Sequence, residues 1–269
     1  MRADGKIVKE GVSPIERAIP YIMPKRVDAQ NYCTEYFDEE IIKDYIAGVR
    51  NETGVHLSRM AVVIAAYHQA ALKHPYINRF VMSSKIYERN HFCVSFVMMK
   101  KDTAGNAIQT TIKLFLEPED TVVTINEKIN KLVEENSKPV TKNNTDKFVN
   151  FMLSLPLLPN MVIGLARLLD RVGLLPRFII DLSPFHTSMF ITNLASINGP
   201  HIYHHIYEFG TTSVFLAMGK SMPNFLAGDT KKKLMPIGIV MDERICSGHD
   251  YTVFNKAFRR LVTHPEMLR

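Results

Sequence analysis

"IGIVMDERICSGHDY", residues 237–251, runs straight from apolar to charged. Ile237, Gly238, Ile239, Val240 and Met241 have the length and composition of a strand buried on both faces. The run stops at Asp242-Glu243-Arg244, and Ser247-Gly248 then signals a turn. From about 249 to 263 the spacing is helical, with Tyr251, Phe254, Phe258, Leu261 and Val262 on one face. A buried strand that ends in charges before a glycine turn fixes those charges at the rim of a sheet. Rigidly held loops of this kind are where chemistry is usually carried.

The rest of the chain supplies the other strands and their cover. Strands are predicted at 187–194, 213–219 and 234–242. Residues 77–101 read as strands broken near Ser83-Ser84 and at Asn90. "DTAGNA" is a turn, and "IQTTIKLFL" after it alternates as a half-exposed strand paired across that turn. Asp38 caps a helix over 39–51, Ser58 opens a second that is apolar nearly all round, and 122–136 is an amphipathic third. Residues 137–147 are a polar linker, and 148–182 hold two or three short, proline-punctuated helices. The sum is α+β, a mixed sheet covered by helices.

With 269 residues, 46% hydrophobic and 22% charged, the chain is long and apolar enough to bury a core. The net charge of +6 suits anionic ligands such as coenzyme A, or an anionic membrane surface. No basic run exceeds Lys231-Lys232-Lys233, and no aromatics interleave with it, so nucleic acid is not expected. Cys33, Cys93 and Cys246 are scattered, which argues for a reducing, cytoplasmic setting without disulfides or a cysteine metal site. No signal peptide is expected at the N-terminus. Pro156 and Pro159 interrupt the longest near-uncharged stretch, 148–166, so no spanning helix is expected.

Four ordered motifs carry a resemblance. They are "FITNLASIN" (190–198), "SVFLAMGK" (213–220), "MPIGIVMDERICSG" (235–248) and the closing "LVTHPEMLR". This series resembles the catalytic domain of the 2-oxoacid dehydrogenase acyltransferases, which share the chloramphenicol acetyltransferase fold. "IERAIPYIMPKR" and "VVIAAYHQAALKHPYINRF" are similar, more loosely, to that family's first helix and buried helix. The likeness spans about 15–269 except 140–185, so we expect one domain over 1–269 with an apolar insertion at about 140–185. It implies a homotrimer with a channel at each subunit interface and a coenzyme A thioester as substrate. No tightly bound cofactor is expected. Nor is a lipoyl attachment, since neither a lipoyl module nor a swinging linker is read in this sequence.

The resemblance also locates a departure. The family ends this strand in D-H-R-x-x-D-G, where His takes the proton from a thiol and the second Asp holds the loop by a salt bridge. Here Glu243 stands at the His position and Ser247 at the Asp position, between retained Asp242, Arg244 and Gly248. A thiol has a pKa of about 8.5, His about 6.5 and Glu about 4.3, so the exchange widens the proton-transfer gap by roughly 2 units, about 3 kcal/mol. A carboxylate also repels the thiolate and oxyanion that a protonated imidazole would attract.

Other candidates follow from position. Thr192 matches the family's oxyanion-stabilising hydroxyl, and Asn193 follows it. His186 precedes the same strand as a candidate lining residue. His249 offers a relocated base or a solvated residue of the first helical turn. His201, His204, His205 and Glu208 crowd "HIYHHIYE", but as a strand it would send His204 and His205 to opposite faces, so no metal is expected. Cys246 reads as packing and Glu117/Glu119 as a loop. Three functions stay open: a weak or silent acyltransferase relative that binds a ligand or partner, an active one using Glu243 or a moved histidine, and a structural subunit of a larger core. The apolar segment 148–180 reads as extra core, as a cap or acyl-chain pocket, or as a peripheral membrane contact aided by Lys147, Arg167, Arg171 and Arg177.

Overall fold

A computed structural model of the chain describes residues 2–101, 105–137, 157–225 and 228–268. Its centre is a seven-stranded mixed sheet. In chain order its strands are β2 (Gln30–Asp38), β5 (Phe92–Lys101), β6 (Ala107–Leu116), β7 (Met189–Asn193), β8 (Val214–Met218), β9 (Met222–Asn224) and β10 (Asp229–Asp242). They lie in the order β2-β10-β8-β7-β5-β6, with β9 paired to β10. β7 runs parallel to both β5 and β8, and the other neighbours are antiparallel. β1 (Gly5–Ile7), β3 (Arg79–Met82) and β4 (Lys85–Arg89) form a second, small antiparallel sheet.

Residues 234–241 of β10 are apolar on both sides because both sides are covered. Ile237, Ile239 and Met241 belong to the main core. That core also holds side chains of α2 (Glu39–Thr53), α3 (Arg59–Lys73), α4 (Val122–Ser137) and the C-terminal helix over Gly248–Thr263. Val240 packs on the opposite face with Phe190, Phe215 and Ile206. The cover there is the irregular segment 201–207, laid flat on the sheet. Gly219 and Gly238 admit it, since a Cβ on either would overlap the backbone of His201 or Ile202. α3 is buried almost throughout, and α2 and α3 begin at the caps Asp38 and Ser58, as the sequence predicts.

Several elements differ from the sequence reading, which has no strand at β1 or β9. β10 starts five residues earlier than 234 and pairs with β9, because Lys231-Lys232-Lys233 lie in an edge ribbon rather than in a loop. β2 has no counterpart in that reading. Residues 201–207, expected as a strand, are irregular, and the His204 and His205 rings stack 4.6 Å apart on one side. The turn at 102–104, most of the polar linker and residues 148–156 lie outside the described residues.

The expected insertion contributes α5 (Leu158–Val172) and α6 (Arg177–Leu182), with α1 (Pro14–Ile22) and the C-terminal helix α7 (Gly248–Thr263) completing the set. Core formation explains Leu175 and Ile180, which are buried, but not Met161, Leu165, Leu168 and Val172 on α5, each more than half exposed, nor Phe178 and Leu182 on α6. α5 is fastened through its one buried residue, Asp170. The Asp170 carboxylate accepts from Arg2 Nη2 at 2.6 Å and lies 3.1 Å from His186 Nε2. Arg2 also binds Asp4 through two N–H···O contacts. Burial pushes the Asp170 carboxyl up, but His186 and Arg2 outweigh it and hold it below the usual range; Arg2 does the same for Asp4.

Asp170→Ala leaves Arg2 buried without one of its two carboxylate partners. It is expected to cost about 3–5 kcal/mol in chemical denaturation. Because both carboxyls titrate lower in the folded chain, their contribution is complete above the ordinary carboxylate pKa and is lost as pH falls through the folded values. Acid unfolding monitored at pH 2–5 should show a steeper loss for the native chain than for the variant.

Candidate active site

The loop after β10 is built around a buried carboxylate. Asp242 is fully buried and receives Arg244 Nε and Nη2, each at 2.7 Å, in a bidentate pair. Arg244 Nη1 donates to the Met23 and Pro24 carbonyls at 3.0 Å. Arg26 adds its Nε at 3.7 Å from Asp242 and caps carbonyls of Val81, Tyr207, Glu208 and Gly210. Burial lowers the Arg26 pKa, with Asp242 opposing that shift. These contacts tie residues 23–26, the β3 strand, the 207–210 segment and the end of β10 into one rigid corner.

Glu243, half-buried, hangs from that corner. Its backbone N–H donates to the Ala29 carbonyl at 2.8 Å, and its Oε2 accepts from Asn31 Nδ2 at 2.8 Å. Ser247 is the N-cap of α7, its Oγ accepting from the Asp250 N–H at 3.1 Å. A carboxylate caps as well as a hydroxyl does, so the Ser/Asp exchange at this position keeps the helix start and removes a charge. His249 is 84% exposed and lies 3.6 Å from Asp250. Cys246 is buried, and burial pushes its thiol up to about 12, so it stays protonated and packs against the core.

The remaining candidates lie elsewhere. Thr192 and Asn193 are half-buried at the end of β7. Asn193 lines a cavity of about 210 Å³ with Ser58, Met60, Ser196 and Met235, and its buried Oδ1 has no hydrogen-bond partner among the described residues. Thr192 pairs with Ala217, and Ala217 with Gly238. Glu243 is five residues beyond Gly238, roughly 16 Å along the strand direction and two strands over. One chain therefore cannot bring Glu243 and Thr192 to the same reacting carbonyl. His186 is fully buried between Asp170 and Ser183, with Ser183 Oγ 2.8 Å from its Nδ1; it lines none of the cavities described and anchors α5. Among the described residues no three His, Cys, Asp or Glu side chains gather as a metal site. Glu208 is occupied by the Arg26 and Val27 N–H groups.

No protein-family model matches the sequence, and neither does any curated protein. Solved structures do match. A probable dihydrolipoamide acetyltransferase from Listeria monocytogenes aligns with a TM-score of 0.57 over 95% of this chain and 94% of that one, at 16% identity. A truncated catalytic core of the 2-oxoacid dehydrogenase multienzyme complex from Thermoplasma acidophilum gives 0.58, over 97% and 99%, at 13% identity. A chloramphenicol acetyltransferase gives 0.55, over 96% and 99%, at 11% identity. The chain has the chloramphenicol acetyltransferase-like fold.

Within this acyltransferase fold, sequence reasoning finds the β10 loop but misses what holds it. Asn31 and Arg26 carry no local signal; each is identified only by its partner some two hundred residues away. Ser247→Ala is expected to cost about 0.5–2 kcal/mol in thermal or chemical unfolding, whereas Ser247→Asp keeps native stability because it preserves the cap.

Proposed function

We propose that this chain is a coenzyme A thioester-binding protein of the acyltransferase fold, homotrimeric and cytoplasmic, with little or no transferase activity. We read residues 1–269 as one domain with an insertion at about 140–185. The observation that carries this reading is the β10 loop. Its scaffold is complete, with the Asp242–Arg244 clamp and the Ser247 cap in place, yet an acceptor-only carboxylate held by Asn31 stands where the resemblance puts a histidine. His249 gives little support to a relocated base, since it points into solvent beside Asp250. The separation of Glu243 from Thr192 supports the trimer: only two copies placed side by side can join the two ends of the sheet in one site.

The test is thiol release from acetyl-CoA with dihydrolipoamide as acceptor. The native protein should show little or none, and Glu243→His with Ser247→Asp should gain activity. Robust native turnover that Glu243→Gln abolishes would overturn the silent reading and make Glu243 the base. Sedimentation should give about three times 30.7 kDa, and a stable monomer would remove the composite site.

We also place the α5–α6 face against an anionic membrane surface. Met161, Leu165, Leu168 and Val172 recur at four-, three- and four-residue steps as one solvent-facing stripe. Arg167 and Arg171 flank it, and neither pairs with a carboxylate among the described residues. An apolar stripe beside unpaired arginines complements acidic headgroups over acyl chains. No described helix is long and apolar enough to cross a membrane. The protein should float with phosphatidylserine-containing vesicles and not with pure phosphatidylcholine, and Leu165→Asp with Leu168→Asp should abolish flotation while leaving the trimer intact. Dissociation of the trimer by that variant would assign the stripe to a subunit contact instead.

A further inference from the structure

A cavity of about 290 Å³ opens where the C-terminal end of α5 meets the turn between β3 and β4 and the arginine corner at the end of β10. Three guanidiniums line it: Arg26 and Arg244 from the corner, and Arg171 from the last turn of α5. None of Glu243, Ser247 and Thr192 does.

The charges around it do not cancel. Arg244 takes both oxygens of Asp242, and Arg26 stands 3.7 Å from the same carboxylate, so two guanidiniums share one buried anion. Burial lowers the Arg26 pKa, and Arg244 adds to the lowering against Asp242, Glu208 and Asp170. Glu208, exposed at the rim, is the second carboxylate of the lining, and its Oε1 accepts from the Arg26 and Val27 N–H groups. Asp170 is taken by Arg2 and His186. Arg171 is exposed and pairs with no carboxylate among the described residues. Three cations thus face Asp242 and Glu208, and the surplus charge is the one that solvent reaches.

Arg171 is held at the rim through its backbone. Ser83 Oγ donates to its carbonyl at 2.9 Å, from a turn in which Ser83 and Ser84 both take left-handed angles. The neighbouring carbonyls at this helix end are met as well: Leu169 accepts from the Leu174 N–H and Asp170 from the Gly173 N–H. The negative end of the helix is therefore occupied. What the rim offers a ligand is the Arg171 fork and the half-buried Ser84 hydroxyl.

Position supplies the rest. Arg171 flanks the exposed stripe from Met161 to Val172 that we place on an anionic membrane surface, so the cavity lies beside that stripe. A phosphate monoester carries about −1.5 to −2 charges at pH 7 and three acceptor oxygens, and it meets a guanidinium bidentately. In a diester lipid the phosphate lies beneath a further substituent, which a cavity of this size would also have to admit.

We propose that this cavity seats a phosphate monoester, presented as the headgroup of an anionic lipid and held by Arg171. The lipid source rests on the membrane reading above; the phosphate chemistry does not.

The test floats the full chain with phosphatidate vesicles and with phosphatidylserine vesicles of matched surface charge. Phosphatidate should bind about tenfold more tightly. Arg171→Gln should bring that ratio close to one. Arg167→Gln removes the same charge from the same helix but lies outside the cavity; it should weaken both lipids alike, by about fivefold, and keep the ratio. Both side chains are exposed, so neither variant disturbs the core. Equal binding of the two lipids by the native chain overturns the proposal, as does a preference that survives Arg171→Gln or one that Arg167→Gln removes equally. Flotation with neither lipid would sink the membrane reading. Calorimetry with glycerol 3-phosphate, against glycerol, then decides the cavity alone. Millimolar or tighter binding that Arg171→Gln removes keeps the phosphate seat with a soluble ligand, and no binding overturns it.

Discussion

The structure turns on one buried carboxylate. Asp242 ends the central strand and is fully buried, so its charge must be met inside the protein. Arg244 meets it from two residues away and Arg26 from the opposite end of the chain. Those guanidiniums direct their remaining N–H groups to carbonyls of three separate segments, at 23–24, at Val81 and at 207–210. The result is a corner in which the N-terminal region, the small sheet and the irregular 207–210 segment are located relative to the end of β10. Everything presented at that end, Glu243 included, inherits its position from this pair of arginines.

A similar device operates close by, where Arg171 of α5 lines one cavity with Arg26 and Arg244. Asp170 fastens an otherwise exposed amphipathic helix through Arg2 and His186. In both places an aspartate in the interior does what apolar packing does elsewhere. The difference is directional: apolar packing tolerates sliding, whereas a bidentate pair fixes an angle and a distance.

Where the causes are local, the sequence shows them. Asp38 and Ser58 cap their helices within three residues, and the breaks at Ser83-Ser84 and Asn90 follow from turn chemistry; Ser83 and Ser84 take left-handed backbone angles. The β10 strand and its charged end are legible for the same reason. Distant causes are not. "HIYHHIYE" has the aromatic and β-branched composition of a strand, but its path is set by Gly219 and Gly238, which let it lie across the sheet instead of joining it. The apolar residues of 158–182 look like core, and only the packed fold shows that Met161, Leu165, Leu168, Val172, Phe178 and Leu182 are left uncovered by the described chain while Leu175 and Ile180 are buried. In the candidate site, Glu243 and Ser247 are visible as departures from the motif the sequence resembles, while Asn31, which donates to Glu243, lies at the start of a strand with no pattern of its own.

Asn31 sits opposite Met241 in the β2–β10 ladder, so its side chain is held to the loop by backbone register and not by the residue it contacts. An asparagine amide has two ends. With Nδ2 forward it donates to a carboxylate, and turned over it offers Oδ1 to a ring N–H. The same side chain, without any movement of the backbone, can seat either an acidic or an imidazole group at position 243. The contact made at position 243 is thus separable from the backbone architecture that carries it.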